Sequence, residues 1–157
     1  MEPADWPTVG QIYAEGIATG NATFETEVPD WEKWNTSHLS DCRLLAREGE
    51  TTVGWAALSR VSDRACYSGV AEVSVYVAES VRGRGVGRQL LQNLVTESAR
   101  CGLWTLQATV FAENHISIHL HQQCGFRIVG RRERIAQLHA SWKDTILMEY
   151  RHQSAGK

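Results

Sequence analysis

Helical and strand spacing of apolar residues can be told apart along most of the chain. Residues 6–20 place Val9, Ile12, Tyr13, Gly16 and Ile17 on one helical face, with Asp5 as N-cap and Pro7 in the first turn. Residues 21–29 are polar and irregular and carry Phe24. A short second helix starts at Pro29-Asp30 and runs through Trp31, Trp34 and Leu39. Residues 43–47 and 52–60 read as a hairpin turned at Glu48-Gly49-Glu50. Residues 61–69 are loop-like. Residues 71–78 form the clearest strand, in which Val73, Val75 and Val77 alternate with Glu72, Ser74 and Tyr76. A glycine-rich segment leads into a helix ending near Arg100, with Val86, Leu90, Leu91, Leu94, Val95 and Ala99 as its apolar stripe and Cys101-Gly102 as its C-cap. Residues 105–111 are a strand and 114–124 a short helix stopped by Gly125. Residues 126–132 form a strand. A loop holding His139 precedes the last strand, 142–150, and residues 151–157 read as a frayed tail.

An antiparallel hairpin followed by strand–helix crossovers predicts a mixed α/β sheet. The 157 residues suit a single domain. A formal net charge of −2 argues against a nucleic-acid binder, which needs a surplus of Lys and Arg. No apolar run approaches the roughly 20 residues that span a bilayer, and the acidic start is not a signal peptide. Cys42, Cys66, Cys101 and Cys124 contain no CxxC pair, so free thiols in a reducing cytoplasm are expected. The 13 Arg against 3 Lys suit planar recognition of phosphate or carboxylate. His115 and His119 share a helix face, but a third ligand is lacking, and no metal is expected.

The main chemical signal is Arg82-Gly83-Arg84-Gly85-Val86-Gly87, set between a strand and a helix. Glycines at alternate positions let several backbone N–H groups converge, and the helix N-terminus adds positive potential. Arg82, Arg84 and Arg88 supply counter-charge, which makes a pyrophosphate cradle. A P-loop would need Gly-Lys-Ser/Thr and a Rossmann fingerprint GxGxxG; neither is present. Coenzyme A remains as the pyrophosphate ligand.

These residues resemble the GNAT superfamily of acyl-CoA-dependent N-acetyltransferases. Arg82, Gly85 and Gly87 match its Arg/Gln-x-x-Gly-x-Gly/Ala signature, Val73 to Val77 resemble its central strand, and Asn114-x-x-Ser117-x-x-x-His121 with Cys124-Gly125-Phe126 resembles its second cofactor segment. Within the superfamily the likeness is to phosphinothricin and methionine sulfoximine/sulfone N-acetyltransferases. It rests on Asn21 to Glu27, on Ala71 to Val77, and on the His139-x-x-Trp142-x-Asp144 segment. That family usually has a strand before its first helix, where this chain opens almost directly on a helix.

The resemblance implies a mostly antiparallel sheet split by a splayed strand pair and flanked by helices. It implies acetyl-CoA as cofactor, a small amine as substrate and a homodimer. Val75, Tyr76 and Val77 would carry the acetyl-pantetheine arm, with Gly83, Arg84, Val86 and Arg88 joining the signature residues at the pyrophosphate and Asn114 and Ser117 at the pantetheine. Phe24, Ser62, Asp63, Arg64, Glu72, Val73 and Ser74 fall where the family contacts substrate. Glu72 and His139 are the acid–base candidates. Glu72 also has a case of its own, since an amine must lose a proton to attack a thioester. His121 stands where many relatives place a Tyr that protonates the thiolate; it either donates a proton, binds pantetheine or packs the helix. Acetylation of a protein N-terminus or a polyamine, or a non-catalytic CoA-binding role, are the alternatives.

Overall fold

The computed structural model describes residues 1–153. Helix α1 (Trp6–Ala18) follows a single 3₁₀ turn, Pro3–Asp5. Asp5 stands at its N-cap position, but its carboxylate turns back to accept from the Glu2 N–H at 2.8 Å and from Arg47 at 3.0 Å. Helix α2 (Trp31–Ser37) is capped by Asp30, whose side chain accepts from the Lys33 N–H at 2.8 Å. It stops short of Leu39 because His38 is extended and bridges Ser59.

Strands β1 (Leu44–Glu48), β2 (Thr51–Arg60) and β3 (Val70–Val77) form an antiparallel meander. Helix α3 (Val86–Arg100), strand β4 (Thr105–Phe111), helix α4 (His115–Gln123), β5 (Arg127–Leu138) and β6 (Ser141–Arg151) follow. The sheet order is β1-β2-β3-β4-β6-β5, and only β3 and β4 are parallel. That parallel pair is short: Val70, Ala71 and Glu72 face Thr105, Leu106 and Gln107 and nothing beyond. Past that point β3 stays on β2 as far as Val77 and β4 stays on β6 as far as Phe111. The sheet therefore splits into two halves that diverge after Glu72.

The strand alternation loads two cores. Val73, Val75 and Val77 of β3 pack with Leu106, Ala108 and Met148 under α3. Tyr76 points the other way, with Trp55 and Ala57, into the cluster under α1 and α2. Its ring stacks on Trp55 at 4.8 Å and meets Tyr13 at 4.8 Å, and Trp34 closes on Trp55 at 5.6 Å. Such ring pairs add about 0.5–1.5 kcal/mol each beyond area burial. Four of the six Trp (6, 31, 34 and 55) belong to this cluster.

Strand β5 runs six residues past the expected end at Arg132, because what reads as a charged loop is an edge strand with a bulge between Arg132 and Ala136. Asp144 holds the bulge, accepting from the Arg134 N–H at 2.8 Å and from Arg131 Nε at 2.9 Å. His139 and Ala140 make the two-residue turn to β6, both at positive φ. The expected frayed tail is corrected at its start. Arg151 pairs with Thr105 as the last residue of β6, and His152 is buried against Ser98 at 3.0 Å. Residues 154–157 of that tail lie outside the described residues.

Two expectations follow. Replacing glycine by alanine inside a helix ordinarily stabilises it by up to about 1 kcal/mol. At Gly16 the new Cβ would sit 2.6 Å from the Tyr76 ring, which Trp55 and Tyr13 hold in place. Gly16→Ala is expected to destabilise by about 1–3 kcal/mol in a urea melt. The second concerns pH. Burial lowers the pKa of His38, His121 and His152, so the native state favours their neutral forms. The unfolded chain, with histidines near about 6.5, binds more protons below neutrality. Stability is thus full above that value and falls as pH drops toward the lowered native values. Melts at pH 8 and pH 5.5 should show the loss, with a smaller loss in His121→Gln.

Candidate active site

The glycine loop sits on the first turn of α3. Gly83 (φ 77°) and Gly85 (φ 85°) are left-handed, and a Cβ at either would meet nothing within 4 Å. Glycine is needed there for the backbone conformation, not for want of room. The first N–H groups of α3 lack intrahelical acceptors and face the same end of the helix. Arg82 and Arg88 are exposed, and Arg82 Nε donates to the Val77 carbonyl at 3.3 Å. Arg84 differs: it pairs with Glu48 at 2.8 Å and leans toward β1. Val86 packs against the core, and Gly87 lies against Val77 and Leu120.

Beside this loop the diverging strands leave one edge of β3, from Val73 onward, without a strand partner. Its N–H and C=O groups are those an extended amide-bearing chain would pair with. Val75, Tyr76 and Val77 offer backbone only, since their side chains belong to the two cores. The same holds for Val73, expected at the substrate: its side chain packs under α3, away from Glu72. The cradle and the open edge together fit a ligand with a pyrophosphate and an amide arm.

Glu72 lies on the α1 face of the sheet, where the two halves part. Its Oε2 accepts from Gln107 Nε2 at 2.7 Å and from the Thr109 hydroxyl at 3.3 Å. Thr109 in turn accepts from Arg132 Nη2 at 2.9 Å. One polar row, with side chains from β3, β4 and β5, thus spans the sheet from β3 to its edge. Gln107, Thr109 and Arg132 escaped the sequence reading. The register of β4 against β6 and β5 is what brings them together, and only the alternation of β4 hinted that Gln107 and Thr109 share a face.

Phe24 meets Phe111 edge-on at 4.7 Å, and Asn114 Nδ2 donates to the Asn21 carbonyl at 2.9 Å. The loop between α1 and α2 is thereby tied to the end of β4. Asn114 also caps α4, its Oδ1 accepting from the Ser117 N–H at 3.0 Å. His121 is 5% exposed and packs edge-on against Phe126. Its Nδ1 lies 2.8 Å from the Ser117 carbonyl and must be the donor there. Nε2 then carries the lone pair, and it is buried without a partner among the described residues. Burial lowers the pKa, so the ring is an acceptor at neutral pH. This geometry does not present a proton for a departing thiolate.

Other expected residues are not brought to Glu72. Ser62 and Asp63 line a surface groove with His38, Cys42 and Cys101, and Arg64 lies over Tyr67 at 5.8 Å on the loop entering β3. No hydrogen bond or ion pair joins these three to Glu72 among the described residues. His139 is exposed at the β5–β6 turn. Glu72 faces Gln107 and Gln107 faces Glu149, eight residues along β6 from Ser141 at the turn. That is roughly 27 Å of strand. Glu72 and His139 of one chain do not share a proton. Among the described residues no three His, Cys, Asp or Glu side chains group as metal ligands, and no helix is long and apolar enough to cross a membrane.

Residues 9–126 match the Acetyltransferase (GNAT) family. The chain is 34% identical to phosphinothricin N-acetyltransferase of Alcaligenes faecalis, over 92% of this chain and 77% of that one. It is 31% identical to the L-methionine sulfoximine/L-methionine sulfone acetyltransferase of Pseudomonas aeruginosa, over 93% and 88%. Two solved structures superpose closely. One is a ribosomal-protein-alanine N-acetyltransferase from Brucella melitensis (TM-score 0.89, 29% identity, 97% of both chains). The other is a phosphinothricin acetyltransferase from Sinorhizobium meliloti in complex with AcCoA (TM-score 0.88, 25% identity, 99% of this chain and 88% of that one). With a divided sheet, a glycine cradle and a family match over three quarters of its length, the chain belongs to the GNAT family of N-acetyltransferases, enzymes that use acetyl-CoA.

Proposed function

We propose that the protein acetylates the α-amine of a small amino-acid-like molecule, of the kind represented by phosphinothricin or methionine sulfoximine and sulfone. The reading rests on one observation. The Glu72 carboxylate stands where β3 and β4 part, beside the open strand edge and on the face away from α3. Acetyl-CoA supplies an activated acetyl thioester when bound. Gly83, Gly85, Arg82 and Arg88 hold its pyrophosphate at the first turn of α3. The β3 edge at residues 75–77 pairs with its amide arm and directs N–H groups at the thioester carbonyl, stabilising charge on that oxygen. Asn114 and Ser117 shape the wall beside the arm, and His121 Nε2 accepts a hydrogen bond there. Glu72 takes the amine proton, directly or through one water, as the amine nitrogen bonds to the acetyl carbon and the carbon–sulfur bond breaks. Gln107 and Thr109 hold its carboxylate in place. No cysteine nucleophile is used, so transfer is direct within a ternary complex.

The protein is proposed to work in the cytoplasm, where its four free thiols stay reduced, and as a homodimer. Ile128, Val129, Ile135 and Trp142 are exposed along the β5–β6 edge, and a second copy would cover them. A partner would also be the source of a His139 near Glu72. The likeness to a ribosomal-protein-alanine acetyltransferase favours a protein N-terminus as the second reading.

One coupled thiol-release assay separates these. Phosphinothricin, methionine sulfone or a free amino acid should be turned over, and an alanine-terminal peptide or spermidine should not. Glu72→Gln is expected to lower kcat by about 10²–10⁴-fold with little change in KM for acetyl-CoA; unaltered turnover would remove Glu72 from the reaction. Gly85→Glu should abolish acetyl-CoA binding in a calorimetric titration, because it strains a left-handed position and sets a negative charge in the cradle.

A further inference from the structure

We infer that Arg132 is a specificity-determining residue that holds the carboxylate of an amino-acid acceptor while Glu72 holds its amine. The inference rests on the function proposed above and names the feature that selects its substrate class. Arg132 reaches from the edge strand β5 across β6 to Thr109 of β4. Thr109 is its one hydrogen-bond partner among the described residues, and its Nε is buried without an acceptor. Directly opposite on β6, the Thr145 hydroxyl is also buried without a partner. The neighbouring acids are already engaged: Glu149 with Arg127, Asp144 with Arg131, Glu113 with Lys143. Glu72 is reached only through Thr109, so the half-buried guanidinium bonds no carboxylate directly, and carboxylate is the group its planar fork fits best.

The spacing selects the ligand. Hydrogen bonds of 2.9 and 3.3 Å link Arg132 Nη2 through Thr109 to Glu72 Oε2. The guanidinium and the carboxylate thus stand within about 6 Å of each other. An α-amino acid carries its nitrogen and carboxylate about 3 Å apart, so lying over the row it reaches both groups with hydrogen bonds of about 2.8 Å that slant outward to the two ends. A polyamine would bring an ammonium against the guanidinium and be repelled. A peptide N-terminus would offer a neutral carbonyl in place of the carboxylate, and a neutral acceptor bonds about half as strongly. The fork therefore favours a free amino acid over both.

The test compares an acid with its own amide. L-Methionine sulfone and its primary amide, together with the best amino acid of a panel and its amide, are assayed by thiol release with wild type, Arg132→Met and Arg132→Lys. Wild type should prefer each acid over its amide at least tenfold in kcat/KM. Arg132→Met should reduce that preference at least tenfold through KM for the acid, and Arg132→Lys should retain part of it. A preference unmoved in a folded Arg132→Met protein overturns the inference and leaves the proposed function standing. Should Arg132→Met not fold, Arg132→Lys decides: an unchanged acid preference with unchanged KM overturns the inference. Wild-type turnover of peptides or spermidine, with no amino acid accepted, overturns the functional reading and this inference with it.

Discussion

The parting of β3 from β4 after Glu72 and Gln107 is the constraint on which the rest of the structure depends. Each strand is committed elsewhere: β3 to β2 through seven register pairs, β4 to β6 through seven. The ring of Tyr76, stacked on Trp55 under α1, reinforces the first commitment. Once the halves diverge, a stretch of β3 keeps backbone donors and acceptors that no neighbouring strand satisfies. An unpaired buried backbone group costs about 1–3 kcal/mol, so such an edge persists where a ligand or solvent completes it. The glycine loop then places the N-terminus of α3 at the end of that same strand.

Strand alternation lets one short segment serve three purposes. Val73, Val75 and Val77 anchor β3 to the α3 core, Tyr76 anchors it to the α1 core, and Glu72 lies between the halves on the polar side. The backbone is therefore rigid where its amides must be aimed. For the proposed acetyl transfer, packing at both faces would let preorganised N–H groups favour a developing negative charge without reorganising. The arrangement also explains why the polar row of Glu72, Gln107, Thr109 and Arg132 can exist at all. Among the described residues α1 packs mainly on β2 and β3, so polar side chains on β4 do not compete with that core.

Much of this was legible along the chain because it depends on local rules. The two periods placed the four α-helices and six strands, and the left-handed backbone at Gly83 and Gly85 is one that glycine adopts without steric cost. Where the reading missed, the reason was long-range. The segment 133–138 follows a charged run and reads as the start of a loop. Only the antiparallel β6 partner, with Asp144 bonded to both Arg131 and the Arg134 amide, makes it a bulged strand. His139 carries a recognisable motif, yet its two-residue turn puts it at the far tip of a hairpin. His121 was readable as a candidate, but its tautomer follows from the Ser117 carbonyl one helical turn away.

The sequence by itself determined the elements, the glycine loop before α3, the family and the presence of a carboxylate on the central strand. Each of these is encoded within a few neighbouring residues, by period, by glycine or by motif spacing. Tertiary structure alone decided which polar side chains stand with Glu72. The row is assembled from three strands whose bonded members lie 23 to 37 residues apart in the chain, and a one-residue shift in a strand's register would turn its members to the opposite face.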